Sequence, residues 1–253
     1  MKDINHGIIK QVKSLARKKE RDDAGLFVAE GTKCVRDTWD AFECEMLIAT
    51  RAWYEQRGTA QHYDRLVLAG KADMERMSQF STAPEVIAVY RIPNREPDYA
   101  AAREGLSLVL DGVQDPGNLG TIIRLADWYG IRQLFAGNGT VDVYNHKVVQ
   151  ATMGAIARVA VHYVDLEDLF ERVDVAKCGT LLDGENIYNA SLPAQALIVL
   201  GNEGQGISRE VAALLDRRLT IPASPRCGSE SLNVGMAAAV VLSEFCRESL
   251  KTQ

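Results

Sequence analysis

Leu106-Ser107-Leu108-Val109-Leu110-Asp111-Gly112-Val113-Gln114-Asp115-Pro116-Gly117-Asn118-Leu119-Gly120-Thr121-Ile122-Ile123-Arg124-Leu125-Ala126 is the stretch on which the fold turns. A short apolar run over 106–110 gives way to ten residues rich in Gly, Pro and Asx, expected to be neither helix nor strand, and an apolar helical pattern follows over 120–129. Strand, loop and helix in that order make up the repeating half of a parallel sheet. The alternation continues downstream. Strands are predicted over 133–136, 158–162, 178–182, 196–200 and 218–221, and helices over 145–153, 166–172, 208–214 and 232–250. The expected fold class is therefore α/β, a mainly parallel sheet covered on both faces. Ligands of such sheets sit at the carboxyl ends of the strands, which directs attention to the loops after Leu110, Leu200 and Ile221.

Upstream lies a second, smaller α/β pattern, with strands over 26–31, 45–50, 66–69 and 86–90 and helices over 32–42, 52–57 and 72–79. Residues 91–99 hold two prolines among mixed charges, which interrupts regular structure and marks a linker. The expected domains are 1–92 and 104–253.

The chain has 253 residues, 47% hydrophobic and 25% charged, enough for one large or two small cores. No apolar run approaches the ~20 residues of a membrane helix, and the opening lacks a signal peptide, so a cytoplasmic protein with no membrane partner is expected. Five cysteines without a Cys-x-x-Cys pair suggest neither a disulfide framework nor a metal site. A net charge of −5 argues against coating of nucleic acid by bulk positive charge, so any such contact must be local. One local candidate is present. An amphipathic helix over 8–21 carries Lys10, Lys13, Arg17, Lys18, Lys19 and Arg21 against one acid, Glu20, and reads either as solvated surface or as a phosphate-contacting face.

Each of the three strand-end loops is unusual. The first is 111–120, with Arg124 one turn into the following helix; the second is Gly201-Asn202-Glu203-Gly204-Gln205-Gly206, whose glycines permit close backbone approach. The third runs from Pro222 to Glu230 and leads into Ser231-Leu232-Asn233-Val234. The second loop spaces its glycines as Gly-x-x-Gly-x-Gly, which disfavours a dinucleotide-binding oxidoreductase. Three such loops at strand ends point to one shared pocket.

Residues 115–126 resemble the first motif of the SpoU (TrmH-like) family of RNA 2′-O-ribose methyltransferases, within the SPOUT superfamily. Residues 197–208 resemble its second motif, and Ile221-Pro222 with Ser231-Leu232-Asn233-Val234 its third. The segment 147–161 is similar to the family's connecting region, and the basic helix with 25–31 is similar to the L30e-like domain that binds substrate in many members. The loop between Pro222 and Ser231 is longer than the family pattern, so Gly228 has no matched role.

The resemblance implies a catalytic domain whose C-terminal segment forms a trefoil knot, S-adenosylmethionine as cofactor, a homodimer, and RNA as partner, ribosomal RNA in preference to transfer RNA. By the same carry-over, cofactor contacts come from Thr180, Gly201, Ile221 and Leu232, largely through the backbone. Arg124 is the expected catalytic residue, with Asn118 and Glu203 orienting it and Ser231 and Asn233 near the acceptor ribose. Lys10, Lys13, Arg17 and Lys18 are the expected RNA contacts. A guanidinium with a pKa above ~12 is a poor base, so phosphate clamping and oxyanion stabilisation are the roles that suit Arg124. The last helix places Gly235, Ala238 and Val241 or Leu242 at helical spacing, a candidate dimer face. Alternatives are a transfer RNA 2′-O-methyltransferase, a base-nitrogen methyltransferase, and an inactive RNA-binding protein of the same fold.

Overall fold

In the computed structural model, which describes residues 2–57 and 62–250, the chain divides into two compact units. The first comprises 1–94 with 142–158, and the second 95–141 with 159–253.

In the first unit β1 (Lys2–Asp3), β2 (Leu26–Glu30), β3 (Cys44–Ala49), β4 (Arg65–Leu68) and β5 (Val86–Arg91) form one sheet in the order β1-β4-β3-β5-β2. Helices α1 (His6–Ser14), α2 (Lys18–Ala24), α3 (Thr32–Thr38), α4 (Arg51–Arg57) and α5 (Lys71–Met77) complete it. The Asn5 side chain caps α1 by accepting from Ile8 N (3.0 Å). Ile8, Ile9, Val12 and Leu15 then pack with Leu26, Val28, Met46, Met74 and Met77 in one core.

The predicted single basic helix over 8–21 is in fact two. The chain turns at Leu15–Arg17, where Arg17 is extended (φ −94°, ψ 134°), and α2 starts afresh. Arg21 explains the break. Its Nη1 donates to the carbonyls of Leu15 (2.8 Å) and Ala16 (3.0 Å), occupying acceptors that a continuing helix would use. Arg21 is 2% exposed and its Nε and Nη2 both donate to Asp142 Oδ2 (3.0 and 2.5 Å), so it belongs to the interior and not to the expected basic face.

The second unit opens with α6 (Tyr99–Glu104), a helix at the end of the expected linker, capped by Asp98. Then follow β6 (Leu106–Asp111), α7 (Pro116–Trp128) and β7 (Gln133–Ala136). Between β7 and the next strand of this sheet the chain passes through α8 (His146–Ala151), which belongs to the first unit. The second unit resumes with β8 (Ala160–Tyr163), α9 (Leu166–Arg172), β9 (Ala176–Asn186), β10 (Ala196–Gly201), α10 (Arg209–Ala213), β11 (Arg217–Thr220) and α11 (Val234–Leu250).

Its six strands lie in the order β11-β9-β10-β6-β7-β8, and every neighbouring pair is parallel. All six residues of β10 and four of β6 are buried, the signature of strands covered on both faces. The order reverses at β6, which has β7 on one side and the late strand β10 on the other, with Gly201 paired to Asp111. Pairing of β9 with β11 jumps from Gly179–Arg218 to Glu185–Leu219, so residues 180–184 bulge out of the ladder and the strand runs longer than the predicted 178–182.

One further expectation needs correction. Residues 116–120, expected to be irregular, are the first turn and a half of α7. Proline is tolerated there because the first-turn amide needs no helical partner, and Asp115 caps the turn by accepting from Asn118 N (2.9 Å). The segment 142–158, expected inside the catalytic domain, packs with the first unit through the Arg21–Asp142 pair and the rings of Phe27 and Tyr144, whose centroids are 4.6 Å apart.

Candidate functional site

The site grows from the carboxyl ends of β6 and β10, the point where the strand order reverses. Asp111, the last residue of β6, accepts from Ser208 N (2.7 Å). Asn202, the residue after β10, donates to Gly112 O (2.8 Å) and accepts from the amides of Gly204 (2.9 Å) and Gln205 (3.0 Å). These two Asx residues hold the first and second loops together, and sequence reading missed them both. The signal was a short polar side chain at each strand end with a glycine beside it, Gly112 after Asp111 and Gly201 before Asn202.

Gly201 is required by its own loop. A Cβ there would lie 2.2 Å from the Gly206 carbonyl carbon, because residues 202 and 206 fold back in a tight mutual pair with 2.9 Å hydrogen bonds in both directions. The close approach expected for a ligand is at this position an approach of the chain to itself.

Glu203 points from this turn to the first loop. Its carboxylate accepts from the amides of Gln114 (3.1 Å) and Asp115 (2.9 Å) and from Asn118 Nδ2 (3.0 Å). Partial burial pushes the carboxyl pKa up, but the bonds from Asn118, Asp115 and Gln114 together outweigh it and hold the pKa below the ordinary carboxylate value, so Glu203 is a fixed negative charge near neutral pH. Asn118 Oδ1 in turn accepts from Asn233 Nδ2 (2.8 Å), and Asn233 Oδ1 accepts from the amides of Gly235 (2.9 Å) and Met236 (3.3 Å) at the start of α11. One chain of hydrogen bonds, Glu203–Asn118–Asn233, thus joins all three loops. Because Glu203 can only accept, it fixes the Asn118 amide with its NH2 toward Glu203 and its oxygen toward Asn233.

Arg124 stands outside this chain. It is exposed on α7, six residues beyond Asn118, and among the described residues it forms no ion pair. The expected orientation of Arg124 by Asn118 and Glu203 is therefore not made through direct hydrogen bonds. Ser231 is exposed two residues before Asn233.

Of the expected cofactor positions, Thr180 lies where the β9–β11 ladder breaks, Gly201 ends β10, Ile221 follows β11 and Leu232 lies two residues before α11. Gly201 is buried, Ile221 half-buried, and Leu232 is 54% exposed. The Thr180 hydroxyl donates to Val199 O (3.2 Å), which leaves its backbone as the group to offer a ligand. Leu182, in the β9 bulge, is 78% exposed, and its carbonyl accepts from the Thr220 hydroxyl (3.2 Å) just before Ile221. Exposed apolar side chains beside backbone polar groups, with no charged side chain among these residues, suit a nucleoside bound by its faces and edges. Among the described residues no group of three or more His, Cys, Asp or Glu could hold a metal ion. No helix among them is long and apolar enough to cross a membrane.

The expected RNA contacts lie in the first unit. Lys10, Lys13 and Arg17 line one open cleft, whereas Lys18 lies outside its lining and pairs with Asp22 (2.6 Å). The expected dimer stripe does not survive. Ala238, Val241 and Leu242 are fully buried and Gly235 is buried against Thr121, so helical spacing marked the face of α11 that packs inside its own unit.

Residues 105–243 match the SpoU rRNA Methylase family, and residues 7–88 match an MRM3-like substrate binding domain. The chain is 29% identical over 242 residues to 23S rRNA (guanosine(2553)-2'-O)-methyltransferase RlmP of Bacillus subtilis (strain 168), covering 92% of this chain and 94% of the relative. Among solved structures, a TrmH-family protein from Porphyromonas gingivalis assigned as an RNA methyltransferase superposes with a TM-score of 0.88 at 42% identity, covering 97% of this chain and 99% of that one. An AdoMet-bound rRNA methyltransferase from Sinorhizobium meliloti superposes with a TM-score of 0.84 at 26% identity, covering 98% of each chain. The match over 105–243 spans more than half of the sequence, and this chain belongs to the SpoU rRNA methylase family.

Proposed function

We propose that this protein is an S-adenosylmethionine-dependent methyltransferase that methylates a ribose 2′-hydroxyl of ribosomal RNA. The observation that carries the reading is the Glu203–Asn118–Asn233 chain, which binds the three strand-end loops into one preorganised polar surface. The ribosomal substrate is supported by the relatives' named activities. Labelled methyl cofactor, protein and ribosomal RNA, followed by digestion to nucleosides, should yield 2′-O-methylated nucleoside. A base-methylated product, or none, would overturn the proposal.

Bound S-adenosylmethionine supplies an electrophilic methyl group on a sulfonium. Gly201, Ile221, Leu232 and the backbone of Thr180 would hold it. Asn118, with its amide fixed by Glu203, and Asn233 position the acceptor ribose, and Ser231 stands in the same loop. Arg124 has donors only; it clamps the adjacent phosphate and stabilises negative charge growing on the attacking oxygen. A trefoil knot in the C-terminal half belongs to this proposal and rests on the family resemblance. A cytoplasmic location accords with five cysteines that form no disulfide among the described residues.

Cofactor binding has a measurable consequence. At about 100 times Kd a ligand selective for the native state adds about 2.7 kcal/mol. S-adenosylmethionine and S-adenosylhomocysteine should each raise the melting of the second unit by roughly 5–10 °C, and NAD should not. No shift together with no calorimetric binding would count against the cofactor assignment.

Assembly belongs to the proposal as well. With the small-residue stripe of α11 buried, the exposed Trp128 (83%) of α7 and Met236 (61%) of α11 are the apolar groups offered to a second copy. Light scattering should give twice the 27.8 kDa of one chain, and Trp128→Glu should shift the protein toward monomer. A parental protein that is monomeric at micromolar concentration contradicts the dimer.

A further inference from the structure

One cluster of cations stands out in the first unit of a chain whose net charge is −5. Between α1 and α5 of the first unit runs an open cleft of about 410 Å³. Its wall on the α1 side is His6, Lys10, Lys13 and Arg17, at spacings of four, three and four residues. Its floor includes Ile9, which is 5% exposed, and Arg76 enters from α5. Among the described residues no acidic one lines it.

Two acids reach the cleft's arginines from outside: Glu20 pairs with Arg17 (2.9 Å) and Asp73 with Arg76 (3.4 Å). Lys10 and Lys13 form no ion pair among the described residues. Four cations with two neutralising acids leave a local excess of two charges, in a recess that faces solvent.

We propose that this cleft binds the phosphodiester backbone of RNA, with Lys10, Lys13, Arg17 and Arg76 as phosphate ligands. The inference rests on the reading of RNA as substrate and assigns where the first unit holds it. It adds His6 and Arg76 to the expected surface. It removes Lys18, which lies outside the cleft's lining, and Arg21, which is buried.

Geometry favours a polyanion over a single small anion. From His6 to Lys13 the helix rises about 10 Å, against an advance along the duplex axis of about 3.4 Å for each phosphate of one strand. The cations are therefore strung along a line that several phosphates can follow, and the cleft is open where a pocket for one phosphate would be enclosed. Backbone contacts of this kind set position without reading sequence.

The test is the salt dependence of binding of a fluorescein-labelled RNA hairpin to the full-length protein, measured by anisotropy without cofactor. Replacing Lys13 and Arg76 together by glutamine should lower the slope of log K against log salt by about 1.4 to 1.8. Lys18→Gln with Lys19→Gln removes the same formal charge outside the cleft and should leave the slope within about 0.3 of the parent. Arg76→Lys, which keeps the charge, should restore most of the slope in the Lys13-intact background. Equal losses for the two pairs would mean bulk charge and no site, and an unchanged slope for the cleft pair would mean that RNA binds elsewhere; either overturns the proposal. So does competition by polyglutamate as effective as by unlabelled hairpin, which would make the cleft a site for an acidic protein segment. Because no methyl transfer is measured, a protein that binds hairpin through the cleft yet methylates nothing would sink the enzymatic reading and leave this one standing.

Discussion

Arg124→Ala is expected to slow single-turnover methyl transfer to RNA about 10²- to 10³-fold, the loss typical of removing one preorganised donor to a developing oxyanion. The side chain is exposed on α7, outside the Glu203–Asn118–Asn233 chain, so its removal breaks no hydrogen bond of the folded site. Melting temperature and S-adenosylmethionine affinity should therefore match the parent within error, and the loss should fall on kcat, because the stabilised charge exists only in the transition state. Methyl transfer at near the parental rate would refute the role and leave Ser231 and Asn233 as the remaining candidates. Arg124→Lys separates the two parts of the role. An ammonium keeps the charge but loses the planar fork, so it should recover phosphate attraction more than bidentate geometry.

Arg21→Ala is expected to destabilise the first unit by about 3–5 kcal/mol, the usual result of removing one partner of a buried ion pair. Three consequences coincide there. Asp142, 12% exposed, is left without its guanidinium; the carbonyls of Leu15 and Ala16 lose their donor; and the turn between α1 and α2 loses what holds it. Urea unfolding followed by the fluorescence of Trp39 and Trp53, both buried in this unit, is the measurement. Lys19→Ala, on the same helix and exposed, should change stability by less than about 0.5 kcal/mol. A similar small change for Arg21→Ala would show that the pair does not hold the unit.

Those two arginines mark what a sequence can and cannot convey. The reading of Arg124 rests on a motif resemblance, in which Asn118 and Gly120 precede it at fixed offsets in a loop that leaves a strand. Arg21 was misread because it sits in a run of basic residues and its meaning lies 121 positions away at Asp142. Charge sign is written in the sequence; the partner is not.

Periodicity has the same limit. The apolar alternation from Leu106 onward was sufficient for a parallel α/β sheet, since a strand buried on both faces must be apolar throughout. The position of the site at the ends of β6 and β10 followed from that. Helical spacing at Gly235, Ala238, Val241 and Leu242 established that one face of α11 is covered, but only the packing of α11 on α7 showed that the cover is the same chain. Likewise, the composition of 111–120 marked a turn. That Pro116 opens a helix there depends on Asp115 reaching Asn118 N, a matter of dihedral angles.

By itself, then, the sequence determined the fold class and the three loops, because hydrophobic pattern and turn chemistry act over a few residues. The tertiary structure alone decided that Glu203 holds the first loop by two amides and fixes the Asn118 amide toward Asn233. It also decided that 142–158 packs with the first unit, and that Arg76 joins Lys10 and Lys13 in one cleft. Each of these joins residues from separate parts of the chain, and such contacts exist only once burial of the cores has brought those parts together.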